Sequence, residues 1–362
     1  MKTIFRIYSV ALVLCLVLEM TSAQGNKRIG TAAGTQLLVP IGARDFAMSG
    51  SGIATSSGVE SMFWNPAGLS RMDDNAQGMF SNMSYIGDIG LNFGAVAAKF
   101  GSFGTVGLSI KTFDFGAIPL TTNDDPENET GRTYSPNFSV FGVSYARSLT
   151  DAISVGANAK IISETIQDAN STGFAVDFGV QYSGLVDIKG LSLGVAMKNI
   201  GPQMKYDGSG LYRNAISSDG DRPEQKFKSE AATFELPSLI ELGLSYSDAL
   251  GENMNYTLNS SFTNNNLYLD EYRVGGEVGM DLGEFKGFVR GGLSIVTFGD
   301  AATREEFEPV FVVTENLNIF DSPTFGAGFV YETEAVDITV DYAYRKVQFF
   351  NANSVLSVKF GF

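Results

Sequence analysis

The sequence predicts an all-β protein: a transmembrane antiparallel β-barrel of about 14 strands with an N-terminal plug, or hatch, in its lumen. Three observations predict it. From Asn75 to the last residue, apolar and polar side chains alternate with period two, the periodicity of a strand with two unlike faces. The alternating segments reach about 10 residues, enough to cross a bilayer at a tilt, whereas ordinary strands run to about 5–6. The connections between them are also sorted, long on one side and short on the other. A soluble sandwich accounts for the alternation but not for the strand length or the sorting.

In chain order, residues 1–23 read as a secretory signal. Lys2 and Arg6 are followed by an apolar run from Ile7 to Leu18, and Thr21-Ser22-Ala23 precedes Gln24, the charged, apolar and small-residue pattern of an exported chain. The run is shorter than the roughly 20 residues a spanning helix needs. Cys15, the only cysteine, lies inside it, behind Leu14 where a lipoprotein signal would carry a small residue. The processed chain is therefore expected to have no thiol, and the sequence has no histidine. Thiol nucleophiles, histidine triads and His/Cys metal sites are thereby excluded. No catalytic residue, metal or cofactor is assigned, and the chain is read as not an enzyme. A net charge of −15 gives no electrostatic attraction for nucleic acid.

Residues 24–74 do not alternate. The stretch from Val39 to Met72 is rich in Gly, Ser and Ala, yet holds the only tryptophan, Trp64, followed by Asn65, Pro66, Ala67 and Gly68. It is too small to fold alone, but Gly and Ser let backbone lie close to the walls of a polar lumen. Met62, Phe63 and Trp64 are then the few anchors, and Pro66 sets the chain direction after them. Asn65, before a proline, is pushed out of helix and caps the turn that follows. The competing reading is a periplasmic linker.

Residues 75–362 are assigned to the barrel. Phe174, Val176, Phe178, Val180 and Tyr182 alternate with Ala175, Asp177, Gly179 and Gln181, and Val336 to Tyr344 repeat the pattern. Arg273, Glu277, Asp281, Lys286 and Arg290 fall on inward positions, as a polar lumen requires. The long connections are Asp114–Ser135, Ser163–Ser171, Gly201–Ala232 and Gly299–Phe320. The short ones are Gly101-Ser102, Leu149-Thr150, Ser247–Gly251, Gly283-Glu284 and Glu332–Glu334. Barrels place long loops outside and short turns in the periplasm, so both termini are expected in the periplasm. The last strand ends on Phe360 and Phe362, which resemble the terminal aromatic signal read by the barrel assembly machinery. The acidic groups Asp124, Asp125, Glu127, Glu129 and Glu305, Glu306, Glu308 offer oxygen ligands that suit Ca²⁺. They lack the spacing of a calcium loop and are read as hydrated loops. Gly50, Gly52 and Gly58 do not have the spacing of a dinucleotide fingerprint.

Gly42-Ala43-Arg44, the Gly/Ser run, and Phe63-Trp64-Asn65-Pro66-Ala67-Gly68-Leu69 resemble the N-terminal signature of the PorV/PorQ family. That family lies within the superfamily of FadL-type long-chain fatty-acid transporters, which shares the Asn-Pro-Ala element. The resemblance implies a hatch motif made of these ten residues and a place in the outer membrane of a Gram-negative-type bacterium, of the Bacteroidota or a relative. It implies a component of type IX protein secretion that binds or hands on exported proteins, with outer-membrane lipid, the translocon and those proteins as partners. The superfamily implies an alternative, passive passage of hydrophobic small molecules. The loop Gly201–Ala232, with Asp219, Asp221, Arg222, Glu224, Lys226, Lys228 and Glu230, is a poor landing site for such molecules and favours the secretion reading.

Overall fold

The computed structural model describes residues 30–216, 223–267, 269–296, 323–347 and 350–362. The expected signal peptide, the acidic group at 305–308, the whole connection at 299–320 and residues 217–222 lie outside them. Within the described residues, fourteen antiparallel strands close into a barrel. The first seven are β1 Ala76–Ser84, β2 Gly90–Lys99, β3 Thr105–Asp114, β4 Asn137–Ser148, β5 Ile153–Ile166, β6 Ala169–Ser183 and β7 Leu191–Ile200. The others are β8 Leu239–Ala249, β9 Met254–Asn265, β10 Glu271–Asp281, β11 Phe285–Val296, β12 Thr324–Glu332, β13 Asp337–Arg345 and β14 Asn353–Gly361. β1 closes on β14 from Gln77↔Gly361 to Ser84↔Ser354. The closing ladder takes in the last residue, whose N–H donates to the Ala76 carbonyl at 2.9 Å.

Alternation decides the two faces. On β13, Val340, Tyr342 and Tyr344 are exposed outward while Thr339, Asp341 and Ala343 are buried. On β6, Phe174, Phe178 and Val180 face out, and Ala175, Asp177 and Gln181 face in. Backbone groups in lipid have no water to bond, so a closed ladder is the form in which strands can cross.

Two expectations need correction. The connection at Ser163–Ser171 is not a long loop, because β5 and β6 stay paired up to Ile166↔Ala169 and leave Gln167, at φ 52°, in a tight turn. Polar residues there end the apolar alternation but not the ladder. The described N-terminal residues, in addition, are not at the periplasmic end, for Ala32 bridges to Glu235 in the external β7–β8 connection. The chain descends from there through the lumen, and Arg71 bonds the Ala152 carbonyl at the β4–β5 turn on the periplasmic side.

Along that descent lie two short helices, α1 Ala43–Ala47 and α2 Ser61–Trp64, and a 3₁₀ turn Pro66–Arg71. The core of the molecule lies between this segment and the inner wall, with Ile41, Phe46, Met48, Ile53, Met62 and Leu69 fully buried. The segment is therefore held along its length, not by a few anchors around Trp64. Close approach is made possible by the wall, whose strands carry glycine where the segment passes. A Cβ on Gly156 would stand 2.3 Å from the Pro66 carbonyl oxygen, and one on Gly194 2.4 Å from that of Ile53. On Gly292 it would stand 2.3 Å from the Met48 carbonyl carbon.

Candidate functional site: a filled lumen beneath an external vestibule

The ten motif residues divide between opposite sides of the lumen. Gly42, Ala43 and Arg44 start α1, which packs on β12 and β13. Gly42 has φ 74°, and a Cβ there would overlap the Glu60 carboxylate, so two independent constraints demand glycine. Ala43 N–H donates to Ser357 Oγ at 2.9 Å. Arg44 grips Glu277 of β10 through Nε and Nη2, both at 3.1 Å. Glu277 also takes Arg290 of β11 at 2.5 Å, and Arg290 reaches Asp341 of β13 at 2.5 Å. The cluster is paired and hydrogen-bonded, the condition under which charges tolerate burial. Glu277 and Arg290 are thus inward, as the sequence indicated, whereas Lys286 pairs with Glu332 near the periplasmic rim. The Glu277 carboxylate beside Arg44 raises its guanidinium, and burial raises Asp45. Burial, reinforced by Asp45 and Asp341, pushes Glu60 up to about 8.

The second half, Phe63 to Leu69, meets β4, β5 and β6. Asn65, fully buried at φ −152°, caps the 3₁₀ turn by accepting Ala67 N–H. Its amide donates to the carbonyls of Ile53 at 2.9 Å and of Val180, in β6, at 3.1 Å. One side chain thus ties two passes of the segment to the wall. Pro66 opens the turn, where no N–H is needed. A Cβ on Gly68 would lie 2.0 Å from the Ser56 carbonyl oxygen. Ala67 and Leu69 are fully buried. Trp64 Nε1 donates to the Ile41 carbonyl at 3.2 Å, and its ring meets Phe63 edge-on at 4.9 Å. Phe360 and Phe362 lie outside this site, exposed on the outward face at the end of β14.

Residues not singled out from sequence complete the site. Between β6 and β7 the register slips from Val176↔Ile200 to Phe178↔Met197. The extra residue turns both Lys198 and Asn199 inward, as a bulge re-aims side chains. Lys198 then pairs with Glu241 of β8 at 2.6 Å, and Arg273 reaches the same carboxylate at 3.2 Å. Lys111 of β3 donates to the carbonyls of Gln36 and Val39 and lies 4.8 Å from the Phe63 ring centre. The signal was available: a lysine at an inward position of an alternating strand, beside Phe113 on the same face.

Above this floor opens an external cavity of about 910 Å³. Phe46, Phe63, Trp64, Phe113, Phe115 and Phe138 line one part, and Lys198, Glu241, Glu271, Arg273 and Arg345 another. Outside it, the β7–β8 connection carries an exposed hairpin, Tyr212–Ala215 paired with Gln225–Lys228. Lys205–Glu230 and Lys228–Asp207 pairs, each at 2.5 Å, cross this connection. In the other acidic loop, Asp125 accepts the N–H groups of Glu129 and Thr130 and closes its own turn.

A family model for type IX secretion system protein PorV matches residues 21–219. Among solved structures, the CymD monoaromatic hydrocarbon channel is 13% identical, with a TM-score of 0.54 over 90% of this chain and 98% of that one. The Pseudomonas putida toluene transporter TodX is 12% identical, at 0.55 over 89% and 99%. A Pseudomonas aeruginosa FadL homologue is 11% identical, at 0.55 over 89% and 98%. At these identities the likeness is one of fold. No curated protein matches.

Proposed function

The chain belongs to the PorV family of type IX secretion system proteins, and on that premise we propose that this outer-membrane barrel receives exported protein at its external face. The observation that carries the reading is the division of the molecule into a filled lumen and an open external surface. The lumenal segment is bonded to one side of the wall through Arg44 and to the other through Asn65 and Arg71, so among the described residues it lies across the lumen that a polypeptide would have to pass. The exposed hairpin presents Tyr212 and Phe227 among Arg213, Lys226 and Lys228. Aromatic side chains with arginine are the composition of protein-facing surfaces. The test replaces residues 212–228 by a short Gly/Ser linker. The barrel should still insert, and exported proteins should accumulate in the periplasm; undiminished export would count against the reading.

A second reading has one specific observation in its favour. The aromatic part of the external cavity suits a hydrophobic small molecule, since such sites are concave, largely apolar and of about 300–1,000 Å³. Uptake of a simple arene by cells with and without the protein separates the two, since only this reading expects a difference.

A further inference from the structure

The external β7–β8 connection and the start of the lumenal segment are built as one unit. Glu164, on β5 and buried, accepts Gly34 N–H at 2.9 Å with one oxygen and the Tyr206 hydroxyl with the other. Gly34 belongs to the segment and Tyr206 to the connection, so a single wall carboxylate holds both. Ala33 N–H donates to the Glu235 carbonyl at 3.0 Å. Met204, Leu236 and Leu37 are buried in one apolar cluster, with the Met204 sulfur close above Gly34. The next residues, 35–40, form one wall of the external cavity. Burial and the Glu164 carboxylate both raise the Tyr206 hydroxyl, which therefore keeps its proton as the donor.

We infer that Glu164 couples the two: a partner that draws the external connection outward takes Tyr206 from Glu164 and loosens residues 33–40 at the vestibule, where Gly34 on Glu164 and Lys111 on Gln36 and Val39 remain as tethers about which they shift. The coupling rests on the connection receiving a partner, as proposed above. The remainder of the segment stays in place, because Arg44 bonds Glu277 on the opposite wall while Asn65 and Arg71 bond β6 and the β4–β5 turn, none of them through Glu164. The hairpin is then a handle, and the segment's first turn is the part it moves. An engaged polypeptide would open the cavity without emptying the lumen.

The test needs no partner, so its failure is distinguishable from failure of the secretion reading. In a Cys15→Ser background, a single thiol is placed at Gln36→Cys, a buried position beside the cavity. Ser61→Cys, fully buried deeper in the segment, is the control. Loss of one hydrogen bond to a charged group should speed labelling at Gln36→Cys about tenfold in Tyr206→Phe, with Ser61→Cys unchanged. Glu164→Gln should act in the same direction. No change at Gln36→Cys, or an equal rise at both thiols, overturns the coupling. If Tyr206→Phe does not insert, Glu164→Gln is read alone; failure of both to insert makes Glu164 a folding contact and equally overturns it.

Discussion

Gly156→Ala tests how tightly the lumen is filled. The added Cβ would stand 2.3 Å from the Pro66 carbonyl oxygen and 2.7 Å from Ala67 N, where ordinary contact begins at 3.4 Å. The Pro66–Ala67 backbone must therefore withdraw by about 1 Å, and overpacking of this kind costs about 1–3 kcal/mol. Alanine in a strand recovers about 0.5–1 kcal/mol that glycine loses in entropy. The net cost is about 0–2.5 kcal/mol, borne by the segment rather than by the β5 ladder. Gly287→Ala is the matched control: it also lies in a barrel strand, β11, and has nothing within 4 Å of its would-be Cβ. Trp64, the sole tryptophan, reports on the segment by its emission, and the boiled-against-unboiled gel shift reports on the barrel. Gly156→Ala should lower the temperature at which Trp64 emission shifts to the red, with the gel shift intact. If Gly156→Ala and Gly287→Ala behave alike, the segment does not touch the wall at β5 and the close-packed lumen is wrong.

Other perturbations have equally definite outcomes. Trp64→Ala removes a buried ring, at a cost of about 3–5 kcal/mol, but the ties at Arg44 and Arg71 remain. Single-channel recordings should show added noise without a large open conductance, and a wide stable pore would refute this. Glu60, raised by burial, holds a proton in the folded segment that the unfolded chain releases above its ordinary value of 4.5. Stability is then greatest toward the acid side and is lost as pH rises through about 8, a slope that Glu60→Gln should flatten in thermal melts. Trypsin added to whole cells should cut at the exposed Arg213, Lys226 or Lys228 and spare the exposed Lys189 in the periplasmic β6–β7 turn. Deleting Phe362, or Phe362→Asp, should reduce the amount of inserted barrel on membrane fractionation, because the residue closes the ladder to Ala76 and sits on the outward apolar row.

The strands were legible because each has one lipid-facing row, and lipid enforces the alternation at Val340, Tyr342 and Tyr344 as strictly as any core. The inward rows carry no such rule, so what fills them was harder to read. Glycines at 156, 194 and 292 register only as weak strand formers until the segment is seen against them. Lys198 and Asn199 break the period, which marks a bulge but not the direction it aims. The Phe63–Leu69 motif marks part of the segment in the sequence, yet the contacts that hold the segment extend well beyond it. Ile41, Met48 and Ile53 are dispersed among small residues and make no visible pattern, although each is fully buried. The direction of the segment was missed because the sorting of loops constrains strand ends and says nothing of a chain inside the barrel.

On the function proposed above, the protein meets its exported partner at its outer face and not through its lumen. Photo-crosslinking in secreting cells tests it most directly, with the reactive residue placed at Phe227 in the external hairpin or at Leu282 in the periplasmic β10–β11 turn, both exposed. Adducts with exported proteins should form from Phe227 and be absent from Leu282. Adducts from Leu282 alone, or from neither site while secretion proceeds, would contradict it.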